Sequence, residues 1–88
     1  MIGQEITNVT LTANTELIIA YPISQQACDV VNYGPGAVYL NWQATPTVGG
    51  ANCLRLDEGQ TYEIRTRYHW HTLHLISDGV PAIQAVVR

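Results

Sequence analysis

Apolar and polar residues alternate along this chain in short bursts separated by turn formers. Val9-Thr10-Leu11 and Cys28-Asp29-Val30 place an apolar side chain at every second position, and Leu17-Ile18-Ile19-Ala20 is apolar throughout. A period of two is strand geometry, because successive side chains leave a pleated backbone on opposite faces. Gly34-Pro35-Gly36-Ala37 then carries turn chemistry: proline presets the first central position of a type II turn and glycine takes the positive φ at the second. The segment reads as a hairpin, whose returning strand puts Val38, Leu40 and Trp42 on one face and Tyr39 and Asn41 on the other. The longest break is QATPTVGGAN, residues 43–52, with a proline and a glycine pair. Further strands are predicted at Cys53 to Leu56, Tyr62 to Thr66, Thr72 to Ser77 and Ala82 to Val87, with turns at Asp57-Glu58-Gly59 and Asp78-Gly79.

About eight short strands at roughly ten-residue spacing predict an all-β fold, a small antiparallel β-sandwich or jelly-roll-like barrel. No window keeps a helical period, so no substantial helix is expected, and no linker or fixed repeat divides the chain. Residues 1–88 read as a single β-sandwich domain. A chain of this size buries only about 60–65% of its unfolded surface, so its stability calls for disulfides, a metal or neighbouring subunits. Cysteine offers at most one bridge, Cys28 to Cys53. Met1 to Glu5 lacks the basic start and apolar run of a secretory leader, which predicts cytosolic synthesis and reduced thiols. Neighbouring subunits are the expected support.

Composition narrows the partners. Hydrophobic residues make up 47% of the chain and charged residues 12%, against roughly 25% charged in an average soluble domain. Lysine is absent, and four arginines against seven acids leave a net charge of -3. No basic patch exists to track phosphates, so direct nucleic-acid binding is not expected. No apolar run nears the roughly 18 residues of a membrane span, and no basic amphipathic helix is present.

Candidate chemistry is sparse. His69-Trp70-His71-Thr72-Leu73-His74 is the one cluster of metal-competent side chains; on a continuous strand His69 and His71 share a face and His74 takes the other. No Asp or Glu stands between Glu63 and Asp78 to complete a ligand set, so packing or interface histidines are the expectation and neither metal nor cofactor is assigned. Ser24 and Ser77 sit in no nucleophile elbow, and Cys28 and Cys53 lie in apolar strands, so no enzymatic activity is expected. Trp42, Trp70, Tyr39 and Tyr68 could stack on sugar rings with Asn41 and Gln43 as hydrogen-bonding partners, although Trp42 shares a face with Val38 and Leu40 and reads better as core. Asn8-Val9-Thr10 matches a glycosylation sequon and reads as an ordinary strand turn. The residues assigned to an intersubunit or partner contact are Tyr68, His69, Trp70 and His71, with Tyr39, Arg65 and Arg67.

The ordered series NVTLTANTELIIAYPI, VNYGPGAVYLNW, VGGANCLRLDEGQTYEI and TLHLISDGVPAIQAVV resembles small virion proteins of tailed bacteriophages, the head decoration or cement proteins, over about Ile6 to Val87. The resemblance implies an all-β capsid decoration subunit, commonly a homotrimer, that sits on the major capsid protein or other virion proteins and stabilises the head. It also implies synthesis in the bacterial host cytoplasm and a final location in the virion. The run at 69–74 matches no motif of that group. The reading set beside it is a carbohydrate- or receptor-binding β module of a phage head or tail fibre.

Overall fold

A computed structural model of the chain describes residues 5–20, 27–42, 45–65 and 72–87, of which Glu5, Ile64 and Arg65 are placed by their backbone alone. Eight strands follow one another: β1 (Glu5–Thr10), β2 (Leu17–Ala20), β3 (Ala27–Gly34), β4 (Val38–Asn41), β5 (Leu54–Leu56), β6 (Thr61–Arg65), β7 (Thr72–Ile76) and β8 (Ala82–Val87). Among the described residues there is no helix. The strands form two four-stranded sheets in the orders β1-β8-β3-β6 and β2-β7-β4-β5. Every pairing is antiparallel. β1 joins β8, β2 joins β7, β3 joins β6 and β4 joins β5, so the chain is a long two-stranded ribbon rolled upon itself, the double-sheet jelly roll.

The alternation read from the sequence is the in-and-out pattern of the sandwich. β7 and β8 switch between buried and half-buried at each residue, with Leu73, Leu75, Ile83, Ala85 and Val87 turned inward. Those side chains meet Val30, Val38, Leu40 and Leu56 in one core, and Trp42 packs against it as its shared face with Leu40 implies. Burying aliphatic side chains between sheets about 10 Å apart is the main favourable term for such a small domain.

The Gly-Pro-Gly segment is not the hairpin that its turn residues suggest. β3 belongs to one sheet and β4 to the other, so residues 34–37 form a corner that carries the chain across the sandwich. The positive φ expected at Gly36 is present, at 94°, but Gly34 is also positive, at 81°, and the Gly34-Pro35 peptide is cis. The positive φ at Gly34 favours glycine, and a Cβ there would also meet the side chain of Glu58 from the β5–β6 turn.

Two buried polar side chains hold this end together. The Asn32 amide donates to the carbonyls of Gly36 at 2.8 Å and Leu56 at 2.9 Å, and its Oδ1 accepts from the Gly34 N–H at 2.8 Å. Its main chain bonds the β5–β6 turn through Gln60 O and Gly59 N. Ser77 Oγ donates to Ala37 O at 2.6 Å and accepts from Gly79 N–H at 3.1 Å, while Ser77 O accepts from Asn14 N–H. Leu11 N–H reaches Pro81 O. Four of the connections that cross between sheets, β1–β2, β3–β4, β5–β6 and β7–β8, are thereby stitched to one another at one end of the sandwich. Strands joined by such short corners must face each other, so edges β1 and β2 line one side and edges β6 and β5 the other.

Candidate functional site

Of the residues assigned to a contact, Arg67, Tyr68, His69, Trp70 and His71 lie outside the described residues, between β6 and β7. Arg65 is the last residue of β6, paired along the backbone with Ala27. Tyr39 lies on the outer face of β4 at 9% exposure, with Arg55 and Ile76 as its cross-strand neighbours. It is a packed residue rather than an open stacking platform.

His74 occupies the outer face of β7, between Ile18 of β2 and Asn41 of β4. Its Nδ1 stands 2.8 Å from Oε2 of Glu16, with both side chains largely covered. The carboxylate missing near the histidine run in sequence is thus brought from 58 positions away. The hydrogen bond to His74, followed by one to Thr45, holds the Glu16 carboxyl below its usual value, because both stabilise the anion. Thr45 belongs to the loop between β4 and β5, and that loop is tied down again where the Asn41 amide donates to Asn52 O. Glu16 therefore clasps the β4–β5 loop against the outer face of the β2 sheet. Among the described residues no three His, Cys, Asp or Glu side chains cluster as metal ligands would.

The nucleophile candidates have structural duties. Ser77 is fully buried and spends its hydroxyl on the corner described above, and Ser24 lies outside the described residues. Both described cysteines are free thiols, with no bridge between Cys28 and Cys53. Burial, with Asp29 adding to it, pushes the Cys28 thiol up to about 11 and so keeps it protonated and inert at neutral pH. Cys53 Sγ sits 3.2 Å from Gly50 O and 3.3 Å from Thr47 O.

On the outer face of the β1 sheet the arrangement is different. β3 shifts register against β8 between Asn32 and Gly34, which leaves Tyr33 as the extra residue of a bulge at 58% exposure. Across β8 the opposite wall is Asn8 and Thr10 of β1, and Asn8 Oδ1 accepts a 3.0 Å hydrogen bond from Gln84 Nε2. Between the walls lies a shallow groove of about 240 Å³ floored at Ala82. Asn8 is therefore in mid-strand, not in the turn expected for the sequon. Neither Tyr33 nor Glu16 is among the contact residues assigned from sequence. Tyr33 was the more accessible of the two, since Cys28, Val30 and Asn32 face inward and the next residue must face out.

Compared with known proteins, the chain matches no family model, and no curated protein or solved structure matches it. Among the described residues no helix is long and apolar enough to cross a membrane.

Proposed function

We propose that this chain is a structural subunit of a tailed-bacteriophage virion, a head decoration or cement protein that assembles as a trimer against the major capsid protein and performs no catalysis. The observation that carries the reading is the contrast between the two sides of the sandwich. On one side the edge strands β1 and β2 carry a single charge, Glu5 at the start of β1, and Ile6 and Ile18 are 56% and 52% exposed. On the other side β5 and β6 carry Arg55, paired with Asp57 at 2.6 Å, and Glu63. Charge on an edge discourages pairing with another chain, and its absence invites it. A charge-poor edge with exposed isoleucines suits a permanent subunit contact, where interfaces are more apolar than free surface. The resemblance to decoration proteins and the use of jelly rolls in capsid domains support the same reading by analogy.

Light scattering on the purified protein is expected to give three times the 9.7 kDa chain mass, with a melting temperature that rises with concentration. Ile6→Asp combined with Ile18→Asp is expected to dissociate it. A monomer whose melting temperature ignores concentration would overturn the assembly reading. Absence of the protein from purified virions would overturn the location.

A further inference from the structure

We infer that the groove between Tyr33 and the Asn8–Thr10 wall is a binding site for a neutral sugar ring. The bulge at Tyr33 shapes this groove. An extra residue in one strand kinks the backbone and re-aims its side chain, and such bulges recur beside functional sites. Here the extra residue is an aromatic left 58% exposed in a protein that covers its other outward-facing tyrosine on a central strand, Tyr39, to 9%. The strand beside it contributes Ala82, the smallest side chain that keeps a Cβ, so the centre of the groove stays open where a larger residue would fill it. On the far wall stand a hydroxyl, Thr10, and an amide, Asn8, whose oxygen is already engaged by Gln84. With Oδ1 committed, the Asn8 NH₂ group keeps donor capacity for a ligand.

These three features match the chemistry of a pyranose. One face of the ring is a patch of C–H bonds that packs on an aromatic plane, and its rim is hydroxyl groups that pair with amides and hydroxyls. Among the described residues that line the groove there is no carboxylate, guanidinium or imidazole, so none of them selects a charged ligand. At about 240 Å³ it is smaller than the roughly 300–1,000 Å³ of pockets that enclose drug-sized molecules, which limits it to one ring. Affinity per groove is therefore expected in the range of about 1 mM, and repeated copies on an assembled particle would raise it by avidity. The isolated chain suffices for the test, and the inference does not depend on a virion location.

The experiment is a ¹H–¹⁵N titration of the full chain with methyl glycosides and trisaccharides of glucose, galactose, mannose and N-acetylglucosamine, at up to about 10 mM, ten times the expected dissociation constant. At least one sugar is expected to shift the amides of Asn8, Thr10, Tyr33 and Ala82 saturably. Tyr33→Ala is expected to weaken that response about tenfold through loss of the stacking plane. Ala82→Leu, which fills the floor, is expected to abolish it, with the melting temperature of the Tyr33 variant unchanged. No shift with any of these sugars would overturn the proposal. So would shifts that persist in both variants or that map to other residues.

Discussion

On the outer face of the β2 sheet Tyr39 is 9% exposed, whereas on the outer face of the β1 sheet Tyr33 is 58% exposed, although both are outward positions of central strands. The neighbours decide the difference. Tyr39 is flanked in register by Ile76 on one side and Arg55 on the other. Tyr33 sits in a bulge beside Ala82, and β6 pairs with β3 only from Ala27 to Val31. Above Tyr39's sheet the β4–β5 loop is drawn in by Glu16 and Asn41, while the described part of the β1 sheet keeps an open groove. One face is spent on stability and the other is available for contact.

The tyrosines give the sharpest test of that division. Tyr39→Ala should cost about 2–3 kcal/mol in chemical denaturation, since an aromatic is removed from packed surroundings. Tyr33→Ala should stay within about 0.5 kcal/mol. Equal losses would mean that the two faces are covered alike. A smaller effect separates the matched amides. Asn41→Ala should cost about 1 kcal/mol and speed hydrogen exchange across residues 45–53, because it releases the loop from Asn52. Gln84→Ala, which loses only the exposed bond to Asn8, should cost no more than about 0.5 kcal/mol.

The smallest effect is in acid. The Glu16 carboxyl is lowered in the folded chain, chiefly by His74 and then by Thr45. Stability from a lowered carboxyl is present above its unfolded value, 4.5 here, and is lost as pH falls through the folded value. The denaturation midpoint should therefore drop below about pH 4.5, and the drop should shrink in Glu16→Gln. An identical acid profile in that variant would show that the clasp contributes nothing.

Strand positions were legible because period two is a local signal: the expected segments at Leu17 to Ala20, Thr72 to Ser77 and Ala82 to Val87 agree with β2, β7 and β8 to within a residue. Gly36's positive φ and Trp42's place against the core followed from the same local rules. Strand partners were not legible. Turn residues at 34–37 report that the chain reverses, not whether the next strand joins the same sheet, and the bonds that hold this corner, from Asn32 to Leu56 O and from Ser77 to Ala37 O, span 24 and 40 positions. The Glu16–His74 pair was hidden for a related reason, since its members meet only once β2 has paired with β7. Two tyrosines with the same alternation also look alike in sequence until their cross-strand neighbours are known.

Rolling the ribbon places β1 beside β8, with Glu5 opposite Val87. The first described strand cannot find its partner until the last has been synthesised, so the sheet it belongs to closes only once β8 has emerged. Among the described strands only β4 and β5 pair with a neighbour in the chain, and that hairpin is the natural nucleus from which β3–β6, β2–β7 and β1–β8 zip outward. The same adjacency makes the molecule permutable. A short linker from Val87 to Glu5, with new ends opened in the β4–β5 loop, preserves every strand pair except for the loss of that nucleating turn. Such a permutant should reach the same fold more slowly, separating the contacts that stabilise the jelly roll from the one that starts it.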